Sequence, residues 1–360
     1  MPLVRASAAC SNPQGGEATS VARSVEGYSG ASPRLRTPPE ATPPPQDVPA
    51  AAPLAVVVPV YAGYAPTLAC LAALRDTLAD VPEGVRVVVV DDAMPDRRLA
   101  RAVARLCAQA GFTLLHHSAN TGFPAAVNTG LRFLAGHDVI VLNADTLVAG
   151  PWVQELRKVA YATADTGTVT PLSNAAGIVS YPTPTSPAPM PDSPAVARLM
   201  QVAQAANVGC AVDLPSACGF CMFLRHDCLA ATGLLREDVF AKGYGEENDF
   251  SQRASAAGWR HVAAVGAFVA HVGGVSFGTM GDVLCQHNQS VLARLHPGYQ
   301  AHVARWMAAD PLHEARRRLD IVRFCAHRLA GRPPPAVLLL MHGAGGGVAR
   351  VVARRVAYWR

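Results

Sequence analysis

The chain has 360 residues, 50% of them hydrophobic and only 16% charged, with a formal net charge of +5. That length can bury one large core or two smaller ones, and so slight a positive balance excludes a dedicated nucleic-acid binder. Nine cysteines in a chain this long do not make a disulfide scaffold, and Cys70, Cys107, Cys210 and Cys285 read as small buried thiols of a reducing compartment.

Residues 1–50 are rich in Pro, Ser, Gly and Ala and read as a disordered leader, because they cannot bury enough apolar surface to offset ordering. At Leu54 the character changes. Leu54–Val60 is a continuous apolar run, as expected of a strand buried on both faces. Helix Thr67–Leu78, strand Val85–Val90, helix Arg97–Ala110, strand Thr113–His116, helix Pro124–Leu134 and strand Val139–Leu142 then alternate. This pattern predicts an α/β fold with a parallel sheet covered by helices. Its strands end in Tyr61, in Asp91-Asp92 and in Asn143-Ala-Asp145, which should converge on the crevice beyond their carboxyl ends. No Gly-x-Gly-x-x-Gly follows the first strand and no Gly-Lys-Ser/Thr loop is present, which disfavours nicotinamide or flavin enzymes and Walker-type ATPases.

After Asp145 the alternation breaks. Trp152–Ala162 reads as a helix, Gly167–Asn174 as a strand running into a loop, and Thr183–Pro194 as a Pro-rich surface excursion. A helix over Val196–Ala206 leads to a strand over Cys218–Arg225. Cys218-Gly-Phe-Cys221 has metal-like spacing, but no second Cys-x-x-Cys completes a zinc site. Glu246, Glu247 and Asp249 crowd into the start of a short helix over Asp249–Ala257, stopped by Gly258. Such acids can simply complement a helix dipole. Tyr244 and Trp259, however, put aromatic surface on both sides of them, and a general base needs a partly desolvated, oriented carboxylate. Ala263–Val269 reads as a last strand, ending at His271, which by itself suggests a structural histidine.

Residues 281–332 read as a basic helical extension. Beyond Pro333-Pro-Pro335, the segment 336–358 reads as one strand, a glycine loop and one helix. Residues 301–360 hold eleven Arg against Asp310, Glu314 and Asp320, a net +8 that leaves −3 for the rest. A basic tail behind an acidic body suits peripheral contact with an anionic membrane surface, with a solvated helical face as the plain alternative. No signal peptide or membrane-spanning run is apparent, so the expectation is a cytoplasmic protein.

Val58-Pro-Val-Tyr61, Val90-Asp-Asp92, Asn120-Thr-Gly122 with Asn128, Leu142-Asn-Ala-Asp145-Thr, Gly243–Asp249 with Arg253, and His271 stand in the order and spacing of family 2 glycosyltransferases. Over residues 52–280 the chain resembles that family, in particular bacterial enzymes that build surface polysaccharide, rhamnosyltransferase-like members included. The resemblance implies a GT-A fold, a mostly parallel nucleotide-binding sheet flanked by helices with a mixed acceptor-binding half. Residues 51–150 would bind the nucleotide sugar, and residues 151–280 would bind the acceptor and carry the base. The segment 333–360 resembles the opening unit of a second, GT-B-type domain.

The same resemblance implies an inverting transfer from a nucleotide-diphosphate sugar donor to a hydroxyl of a saccharide or lipid-linked acceptor. Glu247 would be the base, with Glu246 beside it. Pro59, Tyr61, Asp92, Asn120, Gly122, Asn128 and Asn143 would lie on the nucleotide-sugar side, and Asn174, Tyr244 and Trp259 on the acceptor side. Asp145 and His271 would hold a divalent cofactor, Mg²⁺ or Mn²⁺, although Asn143 replaces the first acid of the family's Asp-x-Asp motif. A sugar nucleotidyltransferase or a non-catalytic nucleotide-sugar-binding protein is the alternative.

Overall fold

The computed structural model describes residues 48–184, 187–273 and 281–329. Strand β1 (Leu54–Val60) sends alternate residues to opposite faces, Val56 and Val58 into one core and Ala55 and Val57 into another. Its β-branched residues suit a strand with no solvent face. Then follow α1 (Tyr64–Leu78), β2 (Arg86–Asp91), α2 (Arg97–Ala110), β3 (Thr113–His116), α3 (Phe123–Phe133) and β4 (Asp138–Leu142). Strand β1 pairs in parallel with β2 and β4, and β2 in parallel with β3. Local signals set the ends of α2: the Asp96 side chain accepts from the Arg98 N–H, and Gly111 leaves the helix in the left-handed region.

The second half is mixed. It comprises β5 (Thr146–Leu147), α4 (Trp152–Ala160), β6 (Thr166–Leu172), α5 (Ser193–Asn207), β7 (Ala211–Leu214) and β8 (Cys221–Leu224). Next come α6 (His226–Thr232), α7 (Glu246–Ala256), β9 (Arg260–Phe268) and β10 (Ala270–His271). Eight strands form one sheet in the order β3-β2-β1-β4-β8-β6-β9-β7, while β5 and β10 make a separate antiparallel pair. Strand β8 runs antiparallel to both neighbours, so Cys221 enters beside Leu142, at the end of the sheet where β4 leaves. Helices α1, α2, α4 and α5 cover one face with a core that includes Leu71, Leu99, Trp152 and Met200, and α3, α6 and α7 cover the other with Val127, Cys228 and Phe250. The expected α/β architecture with a mixed second half is the one observed.

Several expected boundaries move. The acid-rich helix begins at Glu246 rather than Asp249, which puts all three acids in its first turn. The strand expected over Cys218–Arg225 shortens to Cys221–Leu224, because Cys218–Phe220 turn aside toward the site. Strand β7 and the β5–β10 pair are additions that short, unpatterned sequence did not announce. Cys285, expected as a free thiol, is buried and disulfide-bonded.

Beyond the sheet lie α8 (Gly281–Leu295), α9 (Tyr299–Ala309) and α10 (His313–Leu329). The described residues up to Leu319 belong to one compact unit, and residues 320–329, the latter part of α10, to a second. The leader up to residue 47 and the segment resembling a GT-B opening lie outside the described residues. Among the described residues, no helix is long and apolar enough to cross a membrane.

Candidate active site

Past the end of β4 the chain turns through Asn143 and Asp145 into β5, and its partner β10 delivers His271 opposite Thr146. His271 Nε2 lies 3.3 Å from Asp145 Oδ1 and 3.4 Å from Asn143 Nδ2. Its Nδ1 faces the Ala175 carbonyl at 2.8 Å and must donate there, which leaves Nε2 pointing at the carboxylate. Burial disfavours the imidazolium, but the hydrogen bond and charge of Asp145 outweigh it and raise the His271 pKa above the ordinary value. Asp145 Oδ2 accepts from the Gly273 N–H at 3.0 Å. Phe220 stacks on the His271 ring, centroids 5.2 Å apart.

Asn143 Oδ1 is buried and has no hydrogen-bond partner. An orphaned carbonyl oxygen beside a carboxylate and an imidazole nitrogen fits a hard divalent cation, which prefers oxygen donors and accepts imidazole. Among the described residues no three His, Cys, Asp or Glu side chains surround one point, so such an ion would take its remaining ligands from substrate and water. Cys218 and Cys221 are free thiols, and burial pushes Cys218 up to about 12 and Cys221 well above its ordinary value.

At the end of β2, Asp92 is buried and clamps the loop that follows β3. Its Oδ1 accepts from Thr121 N–H at 2.8 Å and Thr121 hydroxyl at 2.8 Å, and lies 2.9 Å from His117 Nδ1. Its Oδ2 accepts from the Gly122 N–H at 2.8 Å. Burial works against the charge, but these bonds outweigh it and depress the Asp92 pKa. Asp91 is likewise engaged, accepting from Met94 N–H at 2.7 Å and facing His116 at 3.0 Å. Pro59 and Tyr61, at the end of β1, are half-buried.

The clamped loop touches the acidic segment. Lys242 donates to the Asn120 backbone carbonyl at 3.0 Å and to its side-chain oxygen at 2.5 Å. Gly122 has φ +96°, and a Cβ there would lie 1.9 Å from the Ala241 carbonyl oxygen. Only glycine permits both that conformation and that approach.

Helix α7 starts from Gly245, which offers no side-chain cap, so three acids and the helix dipole face one another. Glu246 is buried and its Oε2 lacks a partner; burial, and then the charge of Glu247, raise its pKa well above the carboxylate range. Glu247 is less enclosed. It accepts from Asn248 Nδ2 at 3.2 Å and from Gly245 N–H at 3.3 Å, yet burial still raises its pKa. A Cβ at Gly219 would stand 3.7 Å from Glu247 Cγ, so the base candidate lies against the tripeptide whose Phe220 stacks on His271.

Residues 55–229 match the family model described as glycosyl transferase family 2. A search of curated proteins gives no match. Among solved structures, the fold is similar to mannosyltransferase PcManGT from Pyrobaculum calidifontis, in complex with GDP-Man and Mn²⁺, at 17% identity and a TM-score of 0.51, over 89% of this chain and 83% of that one. It is also similar to GalNAc-T7 with UDP, GalNAc and Mn²⁺, at 14% identity and a TM-score of 0.51, over 79% of this chain and 59% of that one. At such identities the likeness establishes the GT-A fold.

Within this fold, three expected site residues have partners of their own in the chain. Asn128 gives its amide hydrogens to the Leu235 carbonyl and Glu237, both at 2.8 Å, and accepts from Leu235 N–H, so it holds a loop and has no free donor for a nucleotide. Asn174 pairs with the His271 backbone in both directions, at 2.9 and 2.8 Å, and therefore positions the histidine instead of facing an acceptor. Trp259 precedes β9 and lies under the Arg225 guanidinium at 5.2 Å. The register, Thr166 with Arg260 and Leu224 with Val139, puts it at the opposite end of the sheet from Asn143. Tyr244 keeps its place beside the acids, in a left-handed conformation with φ 68°.

Asp249 is an ion-pair hub. Its fully buried carboxylate meets Arg236, Arg253 at 2.9 Å and His296 at 2.7 Å. The i,i+4 spacing announced Arg253, but Arg236 and His296 carried no sequence signal.

Proposed function

We propose that this domain is a metal-assisted, inverting glycosyltransferase that moves a hexosyl or rhamnosyl group from a nucleotide-diphosphate donor to a hydroxyl of a saccharide or lipid-linked acceptor in surface polysaccharide synthesis. One observation carries the reading: Cys218–Phe220 separate two chemically different groups, with Asn143, Asp145 and His271 on the Phe220 side and Glu247 beside Gly219. The nucleotide sugar and Mn²⁺ of PcManGT, and the UDP, GalNAc and Mn²⁺ of GalNAc-T7, suggest the same class of ligands here.

Asp145, His271 Nε2 and Asn143 Oδ1 would hold the divalent ion, Mg²⁺ or Mn²⁺. When bound, such an ion neutralises charge developing on a leaving diphosphate. Pro59 and Tyr61 flank the nucleobase, and Asp92 Oδ2, which accepts one bond against three contacts at Oδ1, keeps a lone pair for an imide N–H. Asn120 and Gly122 line the same side. Glu247 takes the proton of the acceptor hydroxyl as that oxygen bonds to the anomeric carbon. The carbon–oxygen bond to the diphosphate breaks on the opposite face, and its electron pair leaves with the diphosphate. Burial makes Glu247 a stronger base than a solvated carboxylate.

The reaction belongs to the cytoplasm. With a lipid-linked acceptor it would run at the inner face of the membrane, where the basic C-terminal region meets anionic headgroups.

A thermal-shift screen of UDP, GDP and dTDP with and without Mn²⁺, followed by a donor panel and NMR assignment of the product anomer, tests this. Metal-enhanced binding of one nucleotide and an inverted product are expected. No nucleotide binding under any condition, or retention of configuration, overturns it.

A further inference from the structure

Asn248 occupies the first turn of α7 next to Glu247, and its amide is engaged at both ends. Nδ2 donates to Glu247 Oε1 at 3.2 Å. Oδ1 accepts from the Tyr299 hydroxyl at 2.6 Å and from the Ser216 hydroxyl at 2.9 Å, and those two oxygens are 2.8 Å apart. The hydroxyls can donate or accept, but an ionised Glu247 can only accept, so the amide presents its N–H groups to the glutamate and its oxygen to the hydroxyls. Ser216 is itself anchored to α7 on either side. The Pro215 carbonyl accepts from Gln252 at 3.0 Å, and the Ala217 N–H donates to Ser251 Oγ at 3.0 Å. Tyr299 is the first residue of α9, 70 residues beyond the end of the family match at 229.

We propose that Asn248 is a positioning residue for Glu247, locked in that role by Ser216 and by Tyr299 of α9. The helices beyond the sheet thereby help to aim the base. This rests on the reading of Glu247 as the base. An amide N–H favours the ionised carboxylate and restrains its rotation, so the acceptor proton meets an oxygen of fixed direction. Among the described residues, the other titratable groups facing Glu247 are Glu246 of the same helix, Cys218 of the neighbouring tripeptide and Tyr299 itself. All three are acids that are neutral when protonated, and none supplies a cation.

The test uses Tyr299→Phe, which keeps the ring packing, alongside Asn248→Ala and the full-length wild type. Carboxyl ¹³C NMR of glutamate-labelled protein follows Glu247, identified as the signal missing from Glu247→Gln. It needs no substrate. In both variants the Glu247 midpoint should move to higher pH, further in Asn248→Ala, because a bond to the charged form is lost. With the donor found active in the panel, kcat should fall about 10-fold in Asn248→Ala while donor KM stays within about 2-fold. Asn248→Gln should recover part of the loss. An unmoved midpoint in both variants overturns the relay, whatever the enzyme's reaction. A moved midpoint with unchanged kcat leaves the bond in place and overturns its catalytic role, and activity surviving in Glu247→Gln overturns the base assignment itself.

Discussion

His271 Nε2 stands 3.3 Å from Asp145 Oδ1 because the opposite ring nitrogen is spent on the Ala175 carbonyl and the backbone is held by Asn174. Asp145→Ala should therefore abolish both transfer and the Mn²⁺-dependent gain in nucleotide affinity, measured by calorimetry. Asn174→Ala, which touches no ligand in this reading, should weaken that gain by roughly 10-fold through misplacement of His271. Turnover unchanged in EDTA would sink the assignment.

Glu247→Gln should keep nucleotide affinity within a few-fold while kcat falls by roughly 10² or more. Glu246→Gln should be milder, since burial and the charge of Glu247 favour its neutral carboxyl and the amide resembles that state. The wild-type rate should decline on the acid side at a pH above the usual carboxylate range, because burial raises the pKa of Glu247. If Glu246→Gln is the more damaging change and Glu247→Gln keeps the acid limb, the two roles are exchanged.

Gly122 and Gly111 separate strain from collision. Both have positive φ, +96° and +70°, but a Cβ at Gly111 meets nothing within 4 Å while one at Gly122 meets the Ala241 carbonyl. Urea denaturation should show Gly111→Ala costing about 1 kcal/mol and Gly122→Ala roughly 2–4 kcal/mol. Equal costs would mean that the Asn120–Gly122 loop does not pack on Ala241-Lys242 in solution.

Asp249→Ala strands Arg236, Arg253 and His296 around a vacated acid and should cost about 3–5 kcal/mol at neutral pH. The sign follows from its depressed pKa, which burial opposes and the bonds from Arg236, His296 and Arg253 impose. Stability from this group is fully present above the unfolded-state pKa and is lost as pH falls through the lower folded value. The variant should lose less stability than wild type on acidification below about pH 4. Parallel curves for the two proteins would remove Asp249 from that role.

Much of the fold is written locally. The unbroken apolar run of β1, the alternating strands and helices to Leu142, and the Asp96 and Gly111 signals around α2 need no distant partner to be read. The ordered motifs from Tyr61 to His271 likewise carry the resemblance to family 2 glycosyltransferases, because each is a short contiguous string. Chain folding alone reveals that Asn128 is spent on Leu235, that Asn174 serves His271, and that Trp259 ends on the far side of the sheet under Arg225. Those roles depend on partners 34 to 107 positions away or on strand register, and a residue's type does not reveal which partner the fold brings to it. The sequence by itself determined the architecture and the chemical cast, because hydrophobic period and motif order are local. The tertiary structure decided which acid lies beside Gly219, which is sealed in, and which is tied to two arginines and a histidine, because burial and charge pairing arise only once distant segments pack together.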